Sequence, residues 1–92
     1  MGSKTKELIE VLDRLVQMLD DDGQQHWCDW MSRARKRLIE SDFNGVEKVL
    51  SAYGGMGSFN DICLSKITRK NDRFSELQTR AWELATAIKH EQ

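Results

Sequence analysis

His26, Cys28, Cys63 and His90 are side chains of the types that bind zinc, and Cys63 is of a type that attacks carbonyl carbon. A structural zinc site takes its ligands from paired spacings, with two cysteines close in sequence and two histidines likewise. This chain offers one His-x-Cys and two isolated residues. On a helix His26 and Cys28 diverge by about 200°, so they cannot share a metal there. The pattern reads as solvated histidines and small buried cysteines. A nucleophilic thiol needs a base, an orienting group and an oxyanion hole. Ile62 and Leu64 beside Cys63 mark it as a packing residue instead. Asp20, Asp21 and Asp22 lack the spacing, the glycine and the terminal glutamate of a calcium loop. These patterns predict a chain that is not an enzyme, with no metal and no cofactor.

The groups suited to binding are charged and aromatic. Arg33, Arg35, Lys36 and Arg37 put four cations on little more than one helical turn, where they could neutralise phosphates or dock on an acidic surface. Residues 1–22 carry -3 (three basic, six acidic), residues 23–70 carry +3 (eight basic, five acidic) and residues 71–92 carry -1 (three basic, four acidic). Asp20, Asp21 and Asp22 stand near a predicted helix end, where each carboxylate opposes the macrodipole by about 0.3–1 kcal/mol. Either Asp22 caps the next helix or the cluster faces a basic partner. Gly54-Gly55-Met56-Gly57 is costly in chain entropy. Its plain reading is a helix C-cap at Gly54 or Gly55, with Ser58 opening the next element. The functional readings are an anion-binding nest or a recognition loop contacting its partner through Met56 and Phe59. No P-loop lysine follows and no strand precedes, so a nucleotide site is unsupported.

Helices must position these groups. The chain has 92 residues, 39% hydrophobic and 32% charged, with no proline. That supports one domain over residues 1–92 with a thin core. No run reaches the ~20 apolar residues of a membrane span, and a net charge of -1 gives no global pull towards nucleic acid. Leu8, Leu12, Leu15 and Leu19 form a helical stripe over Ser3 to Leu19, widened by Ile9 and Val16 and by Val11 and Met18. Half a cylinder of apolar surface wants two neighbours, or one neighbour and a partner chain. Ser3 or Thr5 is the expected cap. A second helix, Gln24 to Glu40, aligns Trp27, Trp30, Met31, Ala34 and Leu38. A third, Val46 to Tyr53, aligns Val46, Val49, Leu50 and Tyr53, with Asp42 or Asn44 capping it. A fourth starts at Asn71 or Asp72 and aligns Phe74, Leu77, Ala81, Leu84, Ala85 and Ile88, leaving Trp82 at the boundary or on the surface. Ser58 to Asp61 fits a capping box, favouring a helix over residues 59–67. The expected fold is all-α, a small bundle of four to five helices.

Gly45-Val46-Glu47 through Leu50, the run Gly54-Gly55-Met56-Gly57-Ser58-Phe59-Asn60-Asp61 and the later Arg80-Ala81-Trp82-Glu83-Leu84-Ala85 resemble a family of small, uncharacterised bacterial helical domains. The Gly-Gly-Met-Gly-Ser-Phe-Asn-Asp run is the most specific part, and the resemblance spans Glu40 to Ala87. It implies a bacterial or phage-related cytoplasmic domain and imports no catalytic residue.

The functional expectation is a non-catalytic protein-interaction module: an adaptor, an immunity-like protein or a stoichiometric inhibitor. The wide first helix, three Trp and the separated charges motivate it. Asp20, Asp21, Asp22, Arg33, Arg37, Met56, Phe59 and Trp82 are the expected contacts. A homodimer through Leu8, Val11, Leu15 and Met18 is a further expectation, because exposed apolar faces of that size are uncommon in monomers. The weaker alternative is a small nucleic-acid-binding domain using the Arg33–Arg37 face. Two cysteines are too few for a disulfide framework and place the chain in a reducing, cytoplasmic compartment.

Overall fold

The computed structural model describes residues 2–53, 59 and 68–91, the side chains of 68–70 excepted. Among them the chain forms α1 (Ser3–Asp21), α2 (Gln25–Ile39), α3 (Asn44–Ser51) and α4 (Thr68–His90), with no strand. The expected all-α architecture holds. α1 packs on α2 and α4, and α3 packs on the same two helices from the opposite corner. Each neighbouring pair is antiparallel: Asp13 meets Arg35, Glu47 meets Lys89, and Glu7 meets Arg80 at 2.7 Å.

The α1 stripe is the centre of the core. Leu8, Leu12, Leu15 and Leu19 are wholly buried and Val11 nearly so, each stabilising the fold by about 1.5–3 kcal/mol relative to exposure. Of the face expected to seek a second copy, Leu8, Val11 and Leu15 are covered from within by α2 and α4, while Met18 is half-buried. From α2 come Met31, Ala34 and Leu38, together with Cys28, which lies off the expected stripe. Trp27 and Trp30 pack against the core only partly buried. All six apolar residues expected to line α4 are buried.

Several local expectations are corrected. Neither Ser3 nor Thr5 caps α1; Gly2 is the N-cap residue and makes no side-chain bond, while Thr5 is buried. Asp22 does not cap α2; it is the C-cap of α1, and its carboxylate accepts Gln24 Nε2 at 2.7 Å. α3 begins at Asn44 rather than Val46, with Asp42 Oδ1 accepting the Asn44 N–H at 2.9 Å. Gly45, just ahead of the expected start at Val46, lies inside α3, and it must be glycine there because a Cβ would stand 2.9 Å from the Ala34 carbonyl oxygen and from Leu38 Cγ. α4 begins at Thr68, ahead of Asn71. The Gly54–Ser58 loop, Met56, Cys63 and the helix expected over 59–67, Phe59 apart, lie outside the described residues.

Phe59 is the plug where α2, α3 and α4 converge. Its ring centroid stands 5.3 Å from Trp27, 5.6 Å from Tyr53 and 5.8 Å from Phe74, separations at which aromatic pairs attract. Its backbone is pinned at both ends. The N–H donates to the Ala52 carbonyl at 2.8 Å, and the carbonyl accepts Gln78 Nε2 at 2.7 Å.

Candidate interaction seam between α2 and α3

At about 100° per residue, His26, Trp30, Arg33 and Arg37 fall within about 60° of one another on one flank of α2. Contacts fix where that flank points. Trp30 Nε1 donates to the Lys48 carbonyl of α3 at 2.9 Å, and Lys48 Nζ stands 4.0 Å from the Trp30 ring centroid. The opposite flank meets α1, where Cys28 Sγ donates to the Val16 carbonyl at 3.8 Å and Arg35 pairs with Asp13 at 3.6 Å. The seam between α2 and α3 is thus both aromatic and cationic. His26 is exposed and sits edge-on to Trp27 at 4.8 Å, and Trp27 lies 5.6 Å from Trp30. The aromatic series runs on from there to Phe59 and Phe74 in the interior.

The cations differ in how they are held. Arg37 has an exposed pair with Asp42 at 3.5 Å, worth about 0.2–1 kcal/mol. Arg33 is exposed and has no carboxylate within 4.0 Å among the described residues. Lys48 has the Trp30 ring in place of a carboxylate.

The other expected contacts lie elsewhere. Trp82, 46% exposed, is on α4, across the bundle from α2. Phe59 is fully buried and serves the core. Asp20, Asp21 and Asp22 end α1, and the short turn sets them beside the first turn of α2, whose positive end offsets part of the unfavourable dipole of α1 itself. Gln25 Nε2 reaches Asp20 Oδ1 at 3.2 Å. The structure therefore groups Arg33 with Arg37 and does not bring them together with Trp82 or the aspartates. Lys48 and Trp30 were missed as site residues. The signal for Trp30 was its spacing from Arg33 and Arg37, but nothing local singles out Lys48.

Cys28 is buried, and burial, followed by the nearby Asp20 and Asp29 charges, raises its thiol pKa. That favours the inert protonated form over the thiolate. Among the described residues, no three His, Cys, Asp or Glu side chains gather as metal ligands, and no helix is long and apolar enough to cross a membrane.

Residues 20–72 match the family described as a domain of unknown function, DUF6966. The matched stretch holds α2, α3, the glycine-rich run and every residue of the seam. It starts earlier than the resemblance read from Glu40 and stops short of Arg80 to Ala85. No curated protein and no solved structure matches the chain.

Proposed function

We propose that this chain, which belongs to the DUF6966 family, is a non-catalytic protein-interaction module that meets its partner along the α2–α3 seam. The observation that carries the reading is Trp30, half-buried beside two exposed arginines, with its ring face under Lys48. Trp and Arg are the residues that dominate binding energy at protein interfaces. The seam lies wholly within the matched stretch. A bacterial, cytoplasmic adaptor, immunity-like protein or inhibitor is the form this function takes, in keeping with the Gly-Gly-Met-Gly-Ser-Phe-Asn-Asp resemblance and the low cysteine content. Catalysis finds no support in a buried thiol whose proton is held more tightly than usual.

Nucleic-acid binding by Arg33–Arg37 is the weaker reading. Arg35 faces α1 and is engaged with Asp13, so the four cations do not form one face, and a net charge of -1 gives no wider pull towards phosphates. The test is affinity capture from the native host with the tagged chain, followed by size-exclusion chromatography. The expected result is one protein retained at fixed stoichiometry. Retention of nucleic acid alone, or of nothing, would overturn the reading.

A further inference from the structure

We propose that the α2–α3 seam takes a carboxylate-rich segment of a partner protein, an inference that rests on the interaction-module reading and names the partner's chemistry. Charge complementarity carries it. Arg33, Arg37 and Lys48 line the seam, and the one carboxylate that meets any of them within 4.0 Å among the described residues is Asp42, on Arg37. Arg73, Arg80 and Lys89 of α4 have Glu76, Glu7 and Glu47. Among the described residues Lys6, Arg14 and Lys36 are exposed without such a pair, and only at the seam do cations gather beside an aromatic ring. The guanidinium groups present planar forks that match carboxylates in pairs.

The seam favours carboxylates over the phosphates and bases of single-stranded nucleic acid. Stacking of a base needs a free ring face. On Trp30 one face carries Lys48 at 4.0 Å, and the indole N–H is committed to the Lys48 carbonyl. What remains is a row of donors beside an apolar edge, spanning about 16 Å from His26 to Arg37 at 1.5 Å per residue. An extended peptide at about 3.3 Å per residue covers that row with five or six residues.

The probe is a labelled oligoglutamate of about ten residues, long enough to span the row, titrated by anisotropy and by tryptophan fluorescence. We expect binding that weakens as salt rises from about 50 to 200 mM. The Arg33→Ala/Arg37→Ala variant should bind about tenfold more weakly, while Arg73→Ala, on α4, should stay within about twofold. Both variants alter exposed side chains, and each is titrated well below its own melting temperature, since loss of the Arg37–Asp42 pair lowers stability slightly. Equal loss in the two variants, no binding by wild type, or tighter binding of oligothymidylate than of oligoglutamate would each overturn the inference. If the peptide fails while affinity capture still retains one protein, the inference falls and the interaction-module reading stands. If capture fails too, both fall.

Discussion

Gln78 Nε2 donates a 2.7 Å hydrogen bond to the backbone carbonyl of Phe59, across 19 residues of sequence and inside the core. Gln78 is only 5% exposed, so this amide satisfies the carbonyl of a fully buried residue. Replacing it with leucine keeps the volume and orphans that carbonyl. The expected loss is about 1–3 kcal/mol, read from the midpoint of urea unfolding. A loss below a few tenths would mean that the Phe59 carbonyl finds another donor.

Tyr53 completes the same junction by donating its hydroxyl to the Gln78 carbonyl at 2.7 Å. Burial pushes its phenol pKa well above the ordinary value. The folded state therefore holds this proton more tightly than the unfolded chain. Its contribution is fully present below the unfolded pKa of about 10 and is lost as pH rises beyond it. Tyr53→Phe should cost about 0.5–1.5 kcal/mol at neutral pH and should flatten the fall in stability above pH ~10. Unfolding followed at several alkaline pH values checks both. A variant as alkali-sensitive as wild type would place the sensitivity elsewhere.

Gly45 sets the distance between α2 and α3. With an added Cβ 2.9 Å from both the Ala34 carbonyl oxygen and Leu38 Cγ, Gly45→Ala must push the helices apart. Overpacking costs about 1–3 kcal/mol, against a helix-propensity gain of about 1 kcal/mol. A net loss of up to about 2 kcal/mol is expected. Because Lys48 and Trp30 bridge the same two helices, the variant should also shift tryptophan fluorescence. A stabilised variant with an unchanged spectrum would show that the added Cβ is accommodated without moving α3 away from α2.

The helices were legible in the sequence because their apolar spacing is regular: the Leu8–Leu19 stripe and the six buried positions of α4 lie where periodicity put them. What failed was whatever depends on two segments at once. Gly45 falls ahead of the expected third helix until Ala34 and Leu38 stand against it inside α3. The α1 stripe looks wider than one neighbour can cover until α2 and α4 both pack on it. The role of Gln78 has no local signal, since nothing near it in sequence announces Phe59. The site was legible in half: Arg33 and Arg37 were found, but Lys48 joins them only through the α2–α3 packing. The aspartates looked anomalous because a helix dipole was judged alone, without the neighbouring helix end.

α1 and α2 end in the same way with different residues, and that makes a controlled comparison. After α1, Gly23 N–H donates to the Asp20 carbonyl at 3.0 Å and Gln24 N–H to the Leu19 carbonyl at 2.9 Å. After α2, Ser41 N–H donates to the Leu38 carbonyl at 3.0 Å and Asp42 N–H to the Arg37 carbonyl at 2.8 Å. Both are Schellman terminations, which need a left-handed residue: Gly23 has φ 78° and Ser41 has φ 61°. Only Ser41 carries a Cβ in that conformation, at a cost of about 1 kcal/mol. The Arg37–Asp42 ion pair straddles the same turn and offsets part of that strain. Ser41→Gly should therefore stabilise the fold by about 0.5–1 kcal/mol, the glycine's extra unfolded entropy included. Gly23→Ala should destabilise it by about 1 kcal/mol, through the backbone alone, since a Cβ there meets nothing within 4 Å. For a domain of this size those changes move Tm by about 4–8 °C per kcal/mol, in opposite directions. A Ser41→Gly variant that melts lower than wild type would show that the serine side chain makes a compensating interaction at this turn.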